Sequence, residues 1–266
     1  GVWIMAYTTI DDPSAHFQNM IYTGDGNNDR ALTNDGNSNL KPDLVWIKER
    51  NSTSAHQLID STRGGGLALS SHDTGADESF AFIDTFDTDG FTLETSDGST
   101  NEDGNTFVAW QWKANGGTRT TFSESGDNPA GGRQVNTTAG FSIIDYTGTG
   151  ANGTLAHGLN SAPTFWVVKP RSNVSDNQWF VCHQGLASDY ATDFIHFDTN
   201  GAVQDNNLMW NDTAPTSSVI TVGSKDGTNK NDGSFICYAW HDVQGFSKFG
   251  SYVGNGNADG PFIYTG

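Results

Sequence analysis

Phe17-Gln-Asn-Met-Ile-Tyr22-Thr-Gly-Asp-Gly26 returns 124 residues later as Phe141-Ser-Ile-Ile-Asp-Tyr146-Thr-Gly-Thr-Gly150. This recurrence decides the fold, because two more blocks follow in the same order. Pro42-Asp-Leu-Val-Trp-Ile-Lys48-Glu-Arg50 matches Pro163-Thr-Phe-Trp-Val-Val-Lys169-Pro-Arg171, and Thr106-Phe-Val-Ala-Trp-Gln-Trp112 matches Ser234-Phe-Ile-Cys-Tyr-Ala-Trp240. Ordered blocks whose spacing drifts by a few residues mean a duplicated unit with insertions and deletions in its loops.

Within each unit the pattern is that of strands. Leu44 to Ile47 and Phe165 to Val168 are continuous apolar runs led in by proline, which suits strands buried on both faces. Phe91-Thr-Leu-Glu-Thr alternates as a half-exposed strand does. Turn clusters separate the runs: Asp25 to Asp29, Asp87-Thr-Asp-Gly90, Asp97-Gly-Ser-Thr-Asn101, and Lys225 to Gly233. With 32 Gly and only 3 Met, the composition favours many short strands joined by tight turns over long helices. The expected class is therefore all-β, with tandem β-sandwich units of jelly-roll or lectin-like form related by a pseudo-symmetric internal repeat. Residues 1–16 read as an N-terminal arm, 17–115 as the first unit and 140–243 as the second. The Gly- and Thr-rich stretch from Asn115 to Gln134 has little apolar content, so 116–139 reads as a connector. A third copy starts at Gly245-Phe-Ser and Tyr252-Val-Gly-Asn-Gly256, making 244–266 the opening of a third unit or a strand given to a neighbour. Its apolar Tyr252, Phe262, Ile263 and Tyr264 are expected to pair with a sheet, since sheet proteins avoid bare apolar edges.

The net charge of −18 repels phosphate backbones and anionic lipid, which argues against nucleic acid and membrane as partners. No stretch approaches the length of a membrane-spanning helix. Gly1-Val-Trp-Ile4 lacks a basic segment followed by a long apolar core, so it is not read as a signal peptide, and Met5-Ala6 reads as a translation start. Cys182 and Cys237 lie in the apolar runs WFVC and FICY and are expected as two buried thiols.

The order Tyr-Thr-Gly-x-Gly, Pro-Asp-Leu-Val-Trp-Ile-Lys-x-Arg, Asp-Gly-Phe-Thr-Leu, Thr-Phe-Val-Ala-Trp, then Asn136-Thr-Thr-Ala-Gly-Phe-Ser142, resembles a domain of marine tailed phages, including those that infect cyanobacteria. Trp210-Asn-Asp-Thr-Ala-Pro215-Thr and Phe246-Ser-Lys-Phe-Gly-Ser-Tyr252 extend the likeness from about Phe17 to the C-terminus. The resemblance implies a virion structural protein on the particle surface, in a tail fibre, tail appendage or capsid decoration. The implied partners are other virion proteins, further copies of the chain (a trimer by analogy with fibres) and host surface glycans. It carries no catalytic residue across.

Several residues are candidates for chemistry. Trp179 and Trp210 flank loops and are the expected exposed aromatics for receptor binding. Trp110, Trp112, Tyr238 and Trp240 could form a platform for sugar rings, but their apolar neighbours favour core packing. Lys48, Arg50, Lys169 and Arg171 recur at matched positions, read as cations snorkelling from strand ends toward carboxylates such as Asp60. Asp84, Asp87 and Asp89 offer oxygen ligands for calcium, yet the ladder of an EF-hand is missing and hairpin chemistry explains them. No Gly-x-Ser-x-Gly, His-Glu-x-x-His or phosphate loop is present. The expectation is a non-enzyme without a cofactor; a virion-associated polysaccharide-degrading enzyme and a cell-surface or S-layer-like protein of a marine microbe are the alternatives.

Overall fold

A computed structural model describes residues 8–80, 82–94, 98–172 and 174–264. The reading of residues 1–4 and Met5, and Asp97 of its turn cluster, lie outside the described residues. Strands take 37% of the chain and helix 6%, which places it in the all-β class.

The first half contains β1 (Phe17–Thr23), β2 (Arg30–Leu32), β3 (Leu44–Glu49), β4 (Gln57–Asp60), β5 (Leu67–Leu69), β6 (Glu78–Ser79), β7 (Ile83–Phe86), β8 (Phe91–Leu93) and β9 (Thr106–Trp112). They form a six-stranded sheet in the order β1-β9-β3-β4-β5-β6 and a three-stranded sheet, β2-β8-β7. The second half contains β10 (Thr120–Phe122), β11 (Ala130–Asn136), β12 (Phe141–Thr147), β13 (Gly153–Ala156), β14 (Phe165–Ser172), β15 (Phe180–His183), β16 (Asp193–His196) and β17 (Gln204–Asp205). The one-turn helix α1 (Asn207–Trp210), β18 (Val219–Val222), a second such helix α2 (Asp226–Asn229) and β19 (Ser234–Trp240) complete it. Here the order is β10-β11-β12-β19-β14-β15-β16-β17, with β13-β18 as a separate pair. From β12 onward this repeats the strand order of the first half, and every pairing is antiparallel.

The registers agree as well. Phe17 faces Trp112 and Thr23 faces Thr106 in one half; Phe141 faces Trp240 and Thr147 faces Ser234 in the other. The recurring Tyr-Thr-Gly-x-Gly has a mechanical explanation. Tyr22 donates its hydroxyl proton to the Thr100 carbonyl, and Tyr146 does the same to Thr228. Asn101 and Asn229, next in sequence, each donate a side-chain N–H to the loop after that tyrosine, at Asn27 and Ala151. A Cβ on Gly24 or Gly148 would collide with the carbonyl oxygen of Glu102 or Lys230, so the close approach demands glycine.

Alternating faces of the strands build three cores and a sandwich-like stack of four layers. Val45, Ile47, Ile59 and Phe107 meet Phe91 and Leu93 between the six- and three-stranded sheets. Ile144, Trp166 and Val168 meet Leu155 and Ile220 between the eight-stranded sheet and the β13-β18 pair. Leu44, Leu58 and Leu69 meet Phe141, Val167 and Tyr238 where the two large sheets face each other. The halves therefore share a core.

The region read as a connector is instead part of the second sheet. β11 pairs along its whole length with β12, and β10 with β11. An edge hairpin needs backbone pairing more than apolar side chains, which is why composition concealed it. Its start is fixed by Asp43, fully buried, whose carboxylate accepts the backbone N–H groups of Ala114, Gly116 and Gly117 at 2.6–2.8 Å and the Ser61 hydroxyl. The C-terminal segment pairs with no sheet of this chain among the described residues, and Val253 and Phe262 are 87% and 92% exposed. In each complete unit the opening strand pairs with the last strand, β1 with β9 and β12 with β19. Among the described residues no strand of that kind faces residues 250–264.

A charged network crosses the junction of the halves. Arg63 and Asp60 have fully buried side chains, with Nε 2.5 Å from Oδ2. The same carboxylate oxygen accepts the Tyr238 hydroxyl at 2.7 Å, and Arg63 also reaches the Leu58 carbonyl and Asp77. Asp77 in turn pairs with Arg171 at 2.7 Å. Burial opposes the charge of Arg63, but Asp60, Tyr238 and Asp77 outweigh it and raise its pKa. Replacing Arg63 by Met leaves Asp60 without its counter-ion, so a loss of about 3–5 kcal/mol is expected in denaturant unfolding. Adding Asp60→Asn should recover part of that loss; an Arg63→Met variant within 1 kcal/mol (roughly, the ceiling for an exposed pair) of the wild type would contradict the assignment.

Candidate aromatic groove

The duplicated strand pairs end in aromatics, and stacking the sheets brings those ends together. Phe17 faces Trp112 across β1 and β9, while Phe141 and Phe165 flank Trp240 across β12, β19 and β14. Trp112 and Trp240, which hold matching register positions opposite Phe17 and Phe141, meet edge to face at 6.3 Å between ring centroids. Phe17 lies 5.0 Å from Trp112, and Phe141 stacks on Trp240 at 5.0 Å. The chain after β19 turns back over this end. The Asp242 carboxylate holds the turn by accepting the Phe249 N–H and the Thr164 hydroxyl, both at 3.0 Å.

The result is a groove of about 330 Å³ lined mainly by His16, Phe17, Trp112, Phe141, Trp240 and Phe246, with Ser247 and Lys248 at its polar side. His16 has its pKa lowered by burial and by Lys113, which keeps the ring neutral at pH 7, and it lies 6.0 Å from Phe246. Half-buried indoles beside one neutral imidazole, a hydroxyl and an ammonium suit packing against the C–H face of a ring that also carries hydroxyls. The groove lining contains no carboxylate.

The residues expected from sequence fare differently. Trp179 and Trp210 are both fully buried, contrary to their reading as exposed receptor contacts. Trp179 lies in the junction core and donates its indole N–H to the Ser70 carbonyl at 2.9 Å. Trp210 packs edge to face on Trp166 and donates to the Asp193 carbonyl at 3.1 Å. A backbone acceptor for the one polar atom lets an indole be buried beside a loop. Trp110 and Trp46 pack edge to face on the half-open face of the six-stranded sheet, and Tyr238 is buried at the junction. Both cysteines are buried free thiols.

The three aspartates do not converge. Asp87 accepts the hydroxyls of Thr85 and Thr92, Asp89 accepts the Leu40 N–H, and Asp84 is exposed. Among the described residues no group of three or more His, Cys, Asp or Glu gathers as a metal cluster would. Of the repeated cations, Arg171 pairs with Asp77 and Arg50 is exposed, while Asp60 takes Arg63. Lys48 donates to the carbonyls of Glu49 and Ser52, and Lys169 to those of Thr74 and Asn177. His16, Phe246 and Lys248 escaped the sequence reading; the match of Phe246-Ser to Phe141-Ser was the signal that an aromatic belonged there.

These features define a nearly all-β protein with a doubled sheet framework and an aromatic surface groove. The chain belongs to the family described as a domain of unknown function, DUF7483, whose profile matches residues 12–266. No curated protein and no solved structure matches it.

Burial lowers the pKa of Lys169 to about 8, against the opposing pull of Asp198, Asp73 and Asp77. Between about pH 8 and the unfolded lysine value near 10.4, the unfolded chain binds more protons than the folded one, so stability gains a rising contribution with pH. Comparing unfolding of the wild type and Lys169→Met at pH 7.5 and pH 10 should show the gap shift in favour of the wild type at the higher pH. An unchanged gap would contradict the burial of that ammonium.

Proposed function

We propose that this protein is a non-enzymatic structural and adhesion component of a tailed-phage virion, carried on the particle surface in a tail fibre, tail appendage or capsid decoration. The groove carries this reading: duplicated strand ends present paired indoles at one end of a rigid sheet stack, with polar groups on the rim and no acid pair to cleave a bound sugar. Host surface glycans are the ligand class, because sugar rings offer an apolar face for Trp112 and Trp240 together with hydroxyls for His16 and Lys248. Other virion proteins and further copies of the chain are the assembly partners, and the resemblance to marine phage domains supports that setting. The acidic surface suits a particle dispersed in high salt, where screening shortens the reach of self-repulsion.

Ligand-observed NMR with host-envelope oligosaccharides tests the groove. Saturation transfer is expected for the wild type and at least tenfold weaker affinity for Phe246→Ala and Trp112→Ala, with no new reducing ends on long incubation. Turnover abolished by a single Asp or Glu substitution would establish the polysaccharide-degrading alternative instead. Antibody labelling should decorate phage particles; recovery of the chain only in the microbial envelope would establish the S-layer-like alternative.

A further inference from the structure

One side chain in the first half is placed against ordinary physical chemistry. Glu49, at the end of β3, is 1% exposed, and neither carboxylate oxygen has a hydrogen-bond partner. Removing an ionised carboxylate from water with nothing to replace its hydration is strongly unfavourable, even after the protein relaxes. Two more orphaned oxygens lie at the same end of the core: Oε1 of Gln57, 3% exposed, and Oγ1 of Thr100, fully buried.

The pairing registers bring these groups together. Ile47 faces Gln57 across β3 and β4, so Glu49, two residues on, projects from the same face as Gln57 and diagonally beside it. That face carries Val45, Ile47 and Ile59 into the inner core. Glu49 pairs with Phe107, which stacks on Tyr22 at 5.1 Å, and the Tyr22 hydroxyl is bound to the Thr100 carbonyl at 2.6 Å. Gln57 closes the circuit by donating its amide to the Ser99 hydroxyl at 3.2 Å. Among the described residues the Tyr22 hydroxyl is engaged with Thr100, the Gln57 amide with Ser99, and the Lys48 ammonium with two backbone carbonyls. Acceptors remain.

The second half shows what the same frame does without them. Pro170 occupies the place of Glu49 opposite Phe235, Phe180 that of Gln57 opposite Val168, and Gly227 that of Ser99. A Cβ on Gly227 would strike the Phe180 ring, so aromatic carbon fills the space, and the Thr228 hydroxyl finds the Met209 and Lys225 carbonyls. One copy of the frame is plugged with carbon; the other is lined with oxygen.

We propose that Glu49, Gln57 and Thr100 form an interior site for a hard divalent cation, Ca²⁺. Calcium accepts a two-oxygen carboxylate together with neutral amide and hydroxyl oxygens and tolerates irregular geometry, whereas Mg²⁺ demands a near-ideal octahedron and sheds water reluctantly. The ion neutralises Glu49 and ties β3, β4 and the 99–101 turn together, so it acts on stability and not on the groove. This proposal is independent of the adhesion reading.

Chelator-stripped protein is titrated with CaCl₂ in 150 mM NaCl (roughly physiological screening) with excess MgCl₂, while Tm is followed. Tb³⁺ luminescence excited through tyrosine provides the second readout, Tyr22 being the aromatic donor at the site. The wild type is expected to show a saturable rise in Tm and a Tb³⁺ signal that Ca²⁺ displaces. Glu49→Gln, similar in size without the charge, should weaken both at least tenfold, and Thr100→Val by several-fold, while the surface change Asp84→Asn leaves them unaltered. Should Glu49→Gln fail to fold, Thr100→Val and a calcium-dependent anomalous peak beside Glu49 in wild-type crystals decide the matter. No calcium response in the wild type, or a response equal in Glu49→Gln, overturns the proposal and leaves at most weak binding by surface carboxylates.

Discussion

The Arg63–Asp60 ion pair, sealed between two sheets and capped by the Tyr238 hydroxyl, is the constraint on which the arrangement of the halves depends. Ions so fully removed from water tolerate little displacement: a small slide of one sheet over the other would strand Asp60 or Arg63 without a partner. Apolar contacts among Leu44, Leu58, Phe141 and Val167 supply attraction without direction, and many offsets would bury similar area. The ionic network selects one offset. Asp77 and Arg171 extend the same lock to the edge of the junction. At that offset Trp112 and Trp240 meet edge to face, so the ionic network and the groove belong to one arrangement of the sheets.

The matching strand order of the two halves provides an internal comparison. Both halves keep the strand order, the tyrosine-to-carbonyl bond and the glycine that lets the following loop approach. They differ in what the frame contains. Trp110 stands half-buried where its counterpart Tyr238 is buried and tied into the ion pair. Glu49 and Gln57 stand where Pro170 and Phe180 make an apolar plug. The backbone frame tolerates such exchanges because its own hydrogen bonds and close glycine contacts set it, leaving the inward side chains free to diverge.

Much of the frame was legible in the chain itself. The three recurring blocks became β1, β3, β9 and their counterparts, since apolar runs between Asn, Asp and Gly turns leave little choice but strand. What escaped depended on contacts distant in sequence. Trp179 and Trp210 sit beside polar loops, and only the fold reveals that Ser70 and Asp193 supply carbonyls allowing them inside. The stretch around Gly131 and Gly132 looked like a linker because a glycine strand advertises nothing in composition; its pairing with β12 is purely backbone. Asp43 reads as an ordinary residue after proline, yet it gathers three N–H groups from seventy residues away. The groove was half visible: its tryptophans stood out, but the return of Phe246 and the neutral His16 over them did not.

If the buried ion pair and shared core bind the halves into one unit, they must open together. Native-state hydrogen exchange compares them directly, through the amides of Val108 and Ala109 in β9 and those of Ile236 and Cys237 in β19. The account predicts the same opening free energy and the same denaturant dependence for both strands. Exchange of one strand through a partial opening that leaves the other fully protected would contradict it, and would show two separately stable sandwiches in contact.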